Sequence, residues 1–431
     1  GTAFAGGLSL VLSPRWSLTQ LRQVLTAHHS DLLLGEAGLI DALRDSMGPG
    51  TRALALPMLP GWRLPSDAPT AAVTATHDSG RPFYACFTSG TTGQPKGVVK
   101  THRSWVAGLA ASRIEFGITA SDQVLVPGSL SHSLSLYAAV EVLAAGATLH
   151  LLNRATGAAA VARLQQYPVT VIVAVPTLLH QLTLDAPDPF PGVRLVIAGG
   201  AKLTEKVTHR LRQIFPKAQI VEYYGASELG FVSVRWEGMP ASSVGRAFEG
   251  VALSVRRQDG SAAAVGETGW VCIRSELMCA GYLDQPQNQN QRQGFRYLNG
   301  WGTVGDRGWL DAQGYLYLAG RQEMLVCAGV NVYPAEVEAA LLKLPEVAAA
   351  LVLGVSDDCR GDVIHAVVVW QGNPVDRRTL RQRLRPHLPR YACPRRVYAL
   401  EALPLTPSGK VARAEVAAQL QRGLLAQWEV R

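Results

Sequence analysis

Residues 193–225 read VRLVIAGGAKLTEKVTHRLRQIFPKAQIVEYYG. The first eight residues are apolar apart from Arg194, which is typical of a strand buried on both faces. Behind it, apolar side chains recur at helical spacing, at Leu203, Val207, Leu211 and Ile214. Thr204 is a candidate N-cap, and Pro216 ends the helix before a second strand, QIVEYYG. A strand–helix–strand unit of this kind predicts a parallel sheet.

Three loops rich in small residues each follow a predicted strand. TSGTTG (88–93) follows RPFYACF, GGA (199–201) follows VRLVIA, and GASE (225–228) follows IVEYY. In open α/β sheets, ligands bind beyond the carboxyl ends of the strands. The sequence therefore predicts that the three loops share one edge and form a site of nucleotide size.

The stretch SGTTGQPKG (89–97) is suited to a polyphosphate. Glycines let the backbone N–H groups approach phosphate oxygens, hydroxyls add donors, and a lysine adds a positive charge. It is not a Walker A loop, G-x-x-x-x-G-K-[ST], because Lys96 is followed by Gly97 and neither Gly90 nor Gly93 has the required partner glycine. The structural alternative to a phosphate-binding loop is a flexible surface hairpin.

Bulk composition fits an enzyme of two or three domains. The chain has 431 residues, of which 17% are charged, and no run of about 18 apolar residues. Its six scattered cysteines lack a CxxC pair and its ten histidines lack ligand spacing, so we expect reduced thiols, no zinc site and a cytoplasmic location. The start, GTAFAGGLS, lacks an initiator Met and the features of a secretory signal, so a tag remnant or a missing upstream piece is expected.

The net charge of +8 includes a dense basic run at 377–396, which the pattern predicts to be one helix with a basic face. A solvated face is one interpretation of it, and a patch for cofactor phosphate or nucleic acid is the other.

Around residue 321 the pattern changes to that of a smaller α+β domain. A hairpin with its turn at 312–314 precedes it, Pro334 opens a helix, and VAAALVLGV and VIHAVVVW resemble strands. We predict an α/β protein with a large domain (1–322) of parallel or mixed sheets flanked by helices. A hinge joins it to a small α+β domain (323–431).

Five ordered motifs resemble those of the acyl-adenylate-forming enzymes, which include the acyl-CoA and aryl-CoA ligases. They are the loop FTSGTTGQPKGV (87–98), YYGASE (223–228), WGTVGDRG (301–308), GRQEMLVCAGVNVYPAEVE (320–338) and PLTPSGKVAR (404–413). Three departures are Ser227 in place of Thr, an inserted Val304, and Glu323 where the family has Asp or Lys at its hinge. The first residues resemble a segment well inside the usual chain, so part of the N-terminal region is expected to be lacking.

The resemblance assigns roles residue by residue. The β- and γ-phosphates would be held by Thr88, Ser89, Gly90, Thr91, Thr92, Gly93 and Lys96. The backbone of Gly199, Gly200 and Ala201 would lie against adenine, with Tyr224 stacked on its other face. Asp306 and Arg321 would bind the ribose, Ser227 the α-phosphate and Glu228 a Mg²⁺ ion. Lys410 would reach the reacting carboxylate, His132 would border the acyl pocket, and Gly329 would line the thiol tunnel.

Each role has a structural alternative. Tyr224 would be a core aromatic residue at a strand end, Glu228 a residue at a helix N-terminus, Asp306 a cap of the hairpin, Lys410 a solvated side chain, and His132 a core or surface histidine.

The function that the resemblance implies is ATP-dependent activation of a small carboxylic acid through acyl-AMP, followed by thioester formation with coenzyme A. The alternative acceptor is a carrier-protein phosphopantetheine, since both share one thiol arm. A non-enzymatic nucleotide-binding regulator is less favoured, because Lys410 and Glu228 are present. No nucleic-acid module and no membrane span are expected, and a homodimer is left open.

Overall fold

The computed structural model describes residues 6–13, 16, 18–55, 78–89, 95–283, 295–321, 325–327, 330–332, 334–357, 361–388, 392–406 and 409–425. The chain forms two compact units. The first comprises 1–106, 131–133 and 279–289, and the second comprises 107–130, 134–278 and 290–431. Both units combine strands and helices, as predicted for an α/β protein.

The helices of the described residues are α1 Leu18–Ala27, α2 Ala37–Leu43, α3 His102–Phe116, α4 Ser133–Ala144, α5 Gly157–Gln166, α6 Pro176–Asp185, α7 Glu205–Ile214, α8 Pro334–Leu342, α9 Arg377–Leu384 and α10 Arg413–Gln421. The strands are β1 Ser9–Val11, β2 Leu32–Gly35, β3 Arg52–Ala55, β4 Pro82–Ser89, β5 Pro95–Thr101, β6 Gln123–Val126, β7 Thr148–Leu151, β8 Val171–Ala174, β9 Leu195–Gly199, β10 Gln219–Ala226, β11 Gly230–Arg235, β12 Arg246–Ala247, β13 Ala252–Arg256, β14 Gly269–Arg274, β15 Gly281–Tyr282, β16 Arg296–Leu298, β17 Trp301–Thr303, β18 Asp306–Leu310, β19 Leu316–Arg321, β20 Leu325–Cys327, β21 Val330–Val332, β22 Val347–Asp357, β23 Gly361–Trp370 and β24 Arg396–Ala399.

A seven-stranded sheet organises the second unit, in the order β12-β11-β10-β9-β8-β6-β7. Its strands from β7 to β10 are mutually parallel, and β11 and β12 run antiparallel. Alternate residues of one strand enter different cores: Val171 and Val173 join one cluster, whereas Ile172 and Ala174 join the other. Burial on both faces explains the continuous apolar runs, because neither face of such a strand meets water.

The strand–helix–strand prediction for 193–225 is confirmed. β9 and β10 pair in parallel, and α7 connects them. The Thr204 hydroxyl accepts a hydrogen bond from the Val207 N–H, which satisfies one of the free donors at the start of α7. In the same sheet, Pro176 begins helix α6 directly after β8.

The prediction that all three small-residue loops share one sheet edge is wrong for the first loop. β4, which precedes TSGTTG, belongs to a four-stranded sheet of the first unit, in the order β1-β4-β5-β15. β9 and β10 belong to the seven-stranded sheet of the second unit. The apolar run of β4 reflects its central place in its own sheet, which a sequence pattern does not distinguish from a place in another sheet.

A second sheet of the second unit, with β16, β17, β14, β18 and β19 in order and β13 beside β14, contains the predicted hairpin. β18 and β19 pair antiparallel around the turn at 312–314. Asp311 closes that turn by accepting hydrogen bonds from the N–H groups of Gln313 and Tyr315. Gly314 has φ +81°, a conformation that favours glycine.

The C-terminal part of the second unit contains α8, α9, α10 and a sheet of β21, β20, β23 and β22, with β24 beside β23. Pro334 opens α8, and β22 and β23 are the predicted strands. The fold class is confirmed by a large N-terminal domain and a smaller C-terminal one. The boundary at 322/323 stays a prediction, and the hinge candidate Glu323 lies outside the described residues.

The prediction of one basic helix over 377–396 is wrong. α9 spans only Arg377–Leu384, and Arg396 already belongs to strand β24. Pro386 explains the end of the helix, because it has no N–H to donate to a carbonyl of the preceding turn. Among the described residues, no helix is long and apolar enough to cross a membrane.

A buried carboxylate ties together the amino ends of three parallel strands. Asp122, before β6, is paired with Arg194, before β9, through two contacts of 2.8 Å. Thr170, before β8, donates its hydroxyl to the same carboxylate at 2.7 Å, and the Thr119 N–H donates at 2.9 Å. Burial would raise the pKa of Asp122, but these hydrogen bonds and the Arg194 charge outweigh it and hold the pKa well below its usual range.

We expect Asp122→Asn to lower the free energy of unfolding at pH 7 by roughly 3 kcal/mol. The folded-state pKa lies below the unfolded one, so this stability is present above about pH 4 and is lost as the pH falls. The difference in the free energy of unfolding between wild type and Asp122→Asn should therefore become smaller toward pH 3. Urea unfolding at several pH values measures it, with Asp41→Asn as the control because Asp41 and Arg44 form an exposed pair. Equal effects of the two substitutions would contradict the assignment.

Candidate active site

The carboxyl ends of β9 and β10 lie side by side. Gly199, the last residue of β9, is the register partner of Tyr223. β10 continues to Ala226, paired with β11, so the loop 199–201 and the turn after Ala226 lie at the same edge. β8 ends at the same edge, since Ala174 pairs with Ala198. Two of the three predicted loops therefore meet, in the geometry in which α/β sheets bind ligands.

A side chain is disfavoured at both glycines of the loop 199–201, by a close contact at Gly199 and by the backbone conformation at Gly200. A Cβ at Gly199 would lie 2.5 Å from the ring of Tyr223, and Gly200 has φ +87°. Such a loop presents bare backbone, against which a flat ring can lie closely. This geometry suits the predicted contact of Gly199, Gly200 and Ala201 with adenine.

Tyr224 and Asp306, 82 residues apart in the chain, are in direct contact. The Tyr224 hydroxyl donates a hydrogen bond to the Asp306 carboxylate, which is 8% exposed. Asp306 begins β18 opposite Arg321 of β19, so the backbone of both predicted ribose ligands lies at one place in the sheet. The alternative in which Asp306 caps the hairpin is wrong, because Asp311 does so.

Ser227 and Glu228 lie in a tight turn between the antiparallel strands β10 and β11. A Cβ at Gly225 would lie 2.4 Å from the Gly230 carbonyl oxygen, and Gly230 has φ +76°. Glu228 is buried, at 8% exposure. The alternative of a residue at a helix N-terminus is therefore wrong for Glu228, since a strand follows it.

No cluster of three or more side chains with metal-ligand chemistry occurs among the described residues. Mg²⁺ in nucleotide sites commonly uses one or two carboxylates together with phosphate oxygens and water. A single carboxylate such as Glu228 fits an ion that arrives with a nucleotide, and does not fit a permanently bound metal.

Lys410 meets the edge of the sheet from the C-terminal part of the chain. Its Cε lies 3.7 Å from the position that a Cβ would take at Gly200. The Thr177 hydroxyl of α6 donates a hydrogen bond of 3.4 Å to the carbonyl of Gly409, and the Lys410 N–H donates to the Thr406 hydroxyl at 3.2 Å. The side chain of Lys410 is exposed, but its location beside the glycine loop is not that of an arbitrary solvated lysine.

The first unit holds the predicted phosphate loop. β4 and β5 pair antiparallel, with Thr88 opposite Lys96 and Ser89 opposite Pro95. The Lys96 ammonium lies 5.5 Å from the centre of the Tyr282 ring. His132, also in this unit, is partly buried and immediately precedes α4. Four of the predicted phosphate ligands and the tunnel residue lie outside the described residues: Gly90, Thr91, Thr92, Gly93 and Gly329.

Two family models cover most of the chain. One for AMP-binding enzymes matches residues 1–283, and one for the C-terminal domain of AMP-binding enzymes matches residues 336–410. The chain belongs to the AMP-binding enzyme family. This confirms the resemblance to acyl-adenylate-forming enzymes, and with it an AMP-forming ligase of the acyl-CoA synthetase type.

Relatives of this AMP-binding enzyme share most of its length. It is 32% identical to the uncharacterized acyl-CoA ligase YhfT of Bacillus subtilis, over 98% of this chain and 85% of the relative. It is 29% identical to the long-chain-fatty-acid–CoA ligase FadD13 of Mycobacterium tuberculosis, over 95% and 83%. The crystal structure of ATP-bound MatB from Rhodopseudomonas palustris matches with a TM-score of 0.84 at 22% identity, over 98% and 85%, and supports the fold.

A buried ion cluster that no sequence motif predicted lies behind the glycine loop of this AMP-binding enzyme. Glu222 of β10, 2% exposed, accepts hydrogen bonds from Arg235 at 2.8 and 3.0 Å, from Lys202 at 3.2 Å and from the Leu203 N–H at 3.1 Å. Burial lowers the pKa of Lys202, although the Glu222 charge opposes that effect. The cluster anchors the residues that directly follow Ala201. Three charged residues scattered over 202–235 form no motif, so only the folded chain reveals it.

We expect Glu222→Gln to weaken ATP binding roughly tenfold, because a glycine loop displaced by a fraction of an ångström no longer fits the base. Isothermal titration calorimetry of the folded variant gives the Kd. Glu237→Gln is the matched control, since Glu237 pairs with Arg212 at the surface. Unchanged affinity in Glu222→Gln would mean that the cluster serves stability alone.

Proposed function

We propose that this chain activates a small carboxylic acid with ATP to give acyl-AMP and pyrophosphate, and then transfers the acyl group to the thiol of coenzyme A. The observation that carries the proposal is the position of Lys410 beside Gly200, at the edge where β9 and β10 end. Family membership and the acyl-CoA ligase relatives support it.

The first step brings together two anions, the carboxylate of the acid and the α-phosphate of ATP. Lys410 would offset their repulsion by placing its ammonium between them, and would stabilise the charge that develops in the transition state. The hydroxyl of Ser227, in the turn after β10, would donate to the α-phosphate. Mg²⁺ that arrives with ATP would neutralise phosphate charge, with Glu228 as its carboxylate ligand.

The nucleoside would be oriented by groups that the fold has already placed. The Tyr224 hydroxyl holds the Asp306 carboxylate in one orientation. Binding of the ribose hydroxyls would therefore cost little side-chain entropy at Asp306. Arg321, its register partner, is the second proposed ribose ligand. The phosphate loop 88–96 would hold the leaving pyrophosphate, and His132 would border the acid.

For the second step we propose that the C-terminal domain rotates, withdraws Lys410 and lets the loop 328–329 line a tunnel for the thiol. A rotation of this kind requires a hinge residue that absorbs the change of backbone angles, and Glu323 is the candidate. Attack by a thiolate on the acyl carbonyl then gives the thioester and AMP.

A carrier-protein phosphopantetheine is the second candidate acceptor. Helix α9 exposes Arg378, Arg381 and Arg383, and Arg385 follows it. Burial, and the positive charges of Arg377 and Arg395, lower the pKa of Arg381, which indicates an electropositive surface. Such a surface suits an acidic carrier protein or the phosphates of coenzyme A.

A panel of carboxylic acids in a pyrophosphate-release assay tests the proposed function. Each acid is supplied with ATP and with coenzyme A or a phosphopantetheinylated carrier protein. We expect acid-dependent pyrophosphate release, and thioester with coenzyme A. Thioester with the carrier alone would establish the alternative, and no release with any acid would overturn the proposal.

We expect Lys410→Ala to reduce acid-dependent ATP–pyrophosphate exchange by on the order of 100-fold or more, because a transition-state charge partner is lost. Thioester formation from supplied acyl-AMP should persist, since Lys410 takes no part in it. Lys343→Ala, an exposed lysine after α8, is the control. Equal loss of both half-reactions would contradict the two-conformation scheme.

A further inference from the structure

One carboxyl oxygen in the core of the second unit has no hydrogen-bond partner among the described residues. It is Oε1 of Glu141, a residue of α4 that is 5% exposed. An unsatisfied buried polar atom costs about 1–3 kcal/mol. Other buried carboxylates of this unit, such as Asp122 and Glu222, are paired with arginines. Glu141 is therefore an exception that calls for an explanation.

The surroundings of Glu141 are polar at one point and aromatic elsewhere. The hydroxyls of Tyr137 and Ser112 are 2.9 Å apart. Burial raises the pKa of Glu141 to about 7, against the opposing effect of a hydrogen bond from Ser112. Burial and the nearby charge of Glu141 raise the pKa of Tyr223, so this residue of β10 lies close to the Glu141 carboxyl. Phe231 meets the rings of Tyr137 and Tyr223 edge-on.

Helix α4 connects this carboxyl with the candidate active site. Leu134, in its first turn, lies beside Gly200: its Cδ1 is 3.9 Å from the position of a Cβ there, and Lys410 Cε is 3.7 Å from the same position. Leu134, Tyr137, Ala138 and Glu141 follow the spacing of one helix face. Seven residues of helix separate Leu134 from Glu141, a rise of roughly 10 Å.

We propose that Glu141 recognises a hydroxyl on the chain of the acid substrate, so that this enzyme prefers hydroxylated carboxylic acids. The inference rests on the proposed function, which puts the reacting carboxylate at Lys410. A chain that runs from there along the inner face of α4 brings a group roughly six to ten carbons away to Oε1, given C–C bonds of about 1.5 Å.

A hydroxyl suits this site better than an ammonium or a second carboxylate. It donates to Oε1 when Glu141 is ionised and can also accept when the proton is on Oε1, so it satisfies both states. An ammonium would have to shed its hydration in a core that already disfavours charge, and a carboxylate would be repelled by ionised Glu141.

Matched acids test the inference: hexanoate, octanoate and decanoate, each against its terminal hydroxyl, amino and carboxyl analogues. Pyrophosphate release gives kcat/KM, and calorimetry in the presence of a non-hydrolysable ATP analogue gives the Kd of each acid. For at least one chain length, we expect the hydroxylated acid to have a kcat/KM on the order of tenfold higher, and a Kd on the order of tenfold lower, than the unsubstituted acid. Absence of that preference in the wild type, or a preference for the amine, would overturn the inference.

Two substitutions locate the recognition. Glu141→Leu should abolish the preference while turnover of the unsubstituted acid is kept, and Glu141→Gln should keep part of it because the amide still hydrogen-bonds. Ser135→Ala is the control: Ser135 is buried on α4 but lies against Gly128. If Glu141→Leu still prefers the hydroxylated acid, the inference is overturned. If Glu141→Leu does not fold, a full preference for the hydroxylated acid in Glu141→Gln overturns it. Selective binding without pyrophosphate release would instead overturn the proposed function.

Discussion

Burial of the parallel strands on both faces is the constraint on which the rest of the site depends. Because β8, β9 and β10 lie between two apolar clusters, they are held in register, and their carboxyl ends stop at one edge. The backbone after β9 leaves the sheet there, whereas β10 continues to Ala226 paired with β11, and ligands of open α/β sheets bind beyond such strand ends. The glycine loop after β9, the turn after β10 and the lysine loop from the C-terminal part converge on this edge.

Three buried carboxylates of the second unit are paired with arginines, and Glu141 differs from them. Asp122, Glu115 and Glu222 are each less than a tenth exposed, and each is paired with an arginine and further hydrogen-bond donors. Such pairs offset the cost of removing a carboxylate from water. Two of them hold opposite ends of the same strands, Asp122 at the amino ends and Glu222 near the carboxyl ends. Glu141 has no arginine partner among the described residues, and burial raises its pKa, so its environment favours a neutral carboxyl and an incoming polar group.

Long-range contacts limit how much of the site can be predicted from the sequence. The residues of YYGASE and VGDRG are recognisable as motifs, yet nothing in either motif shows that the Tyr224 hydroxyl bonds Asp306 or that Asp311 closes the nearby turn. The Glu222–Arg235–Lys202 cluster has no motif at all. The end of α9 within the basic run 377–396 is different, because Pro386 is a local signal that the sequence contains.

The sequence by itself determined the local structure and the family. Apolar runs, helical spacing, the Thr204 cap, the turn at 312–314 and five ordered motifs depend on residues near one another in the chain, and a linear pattern records those. Only the tertiary structure decided which strands share a sheet, where β4 belongs, which carboxylates are paired and that Lys410 lies at Gly200. Those outcomes depend on residues tens to hundreds of positions apart. Burial of apolar faces brings these residues together, and an apolar pattern does not specify which other face it will pack against.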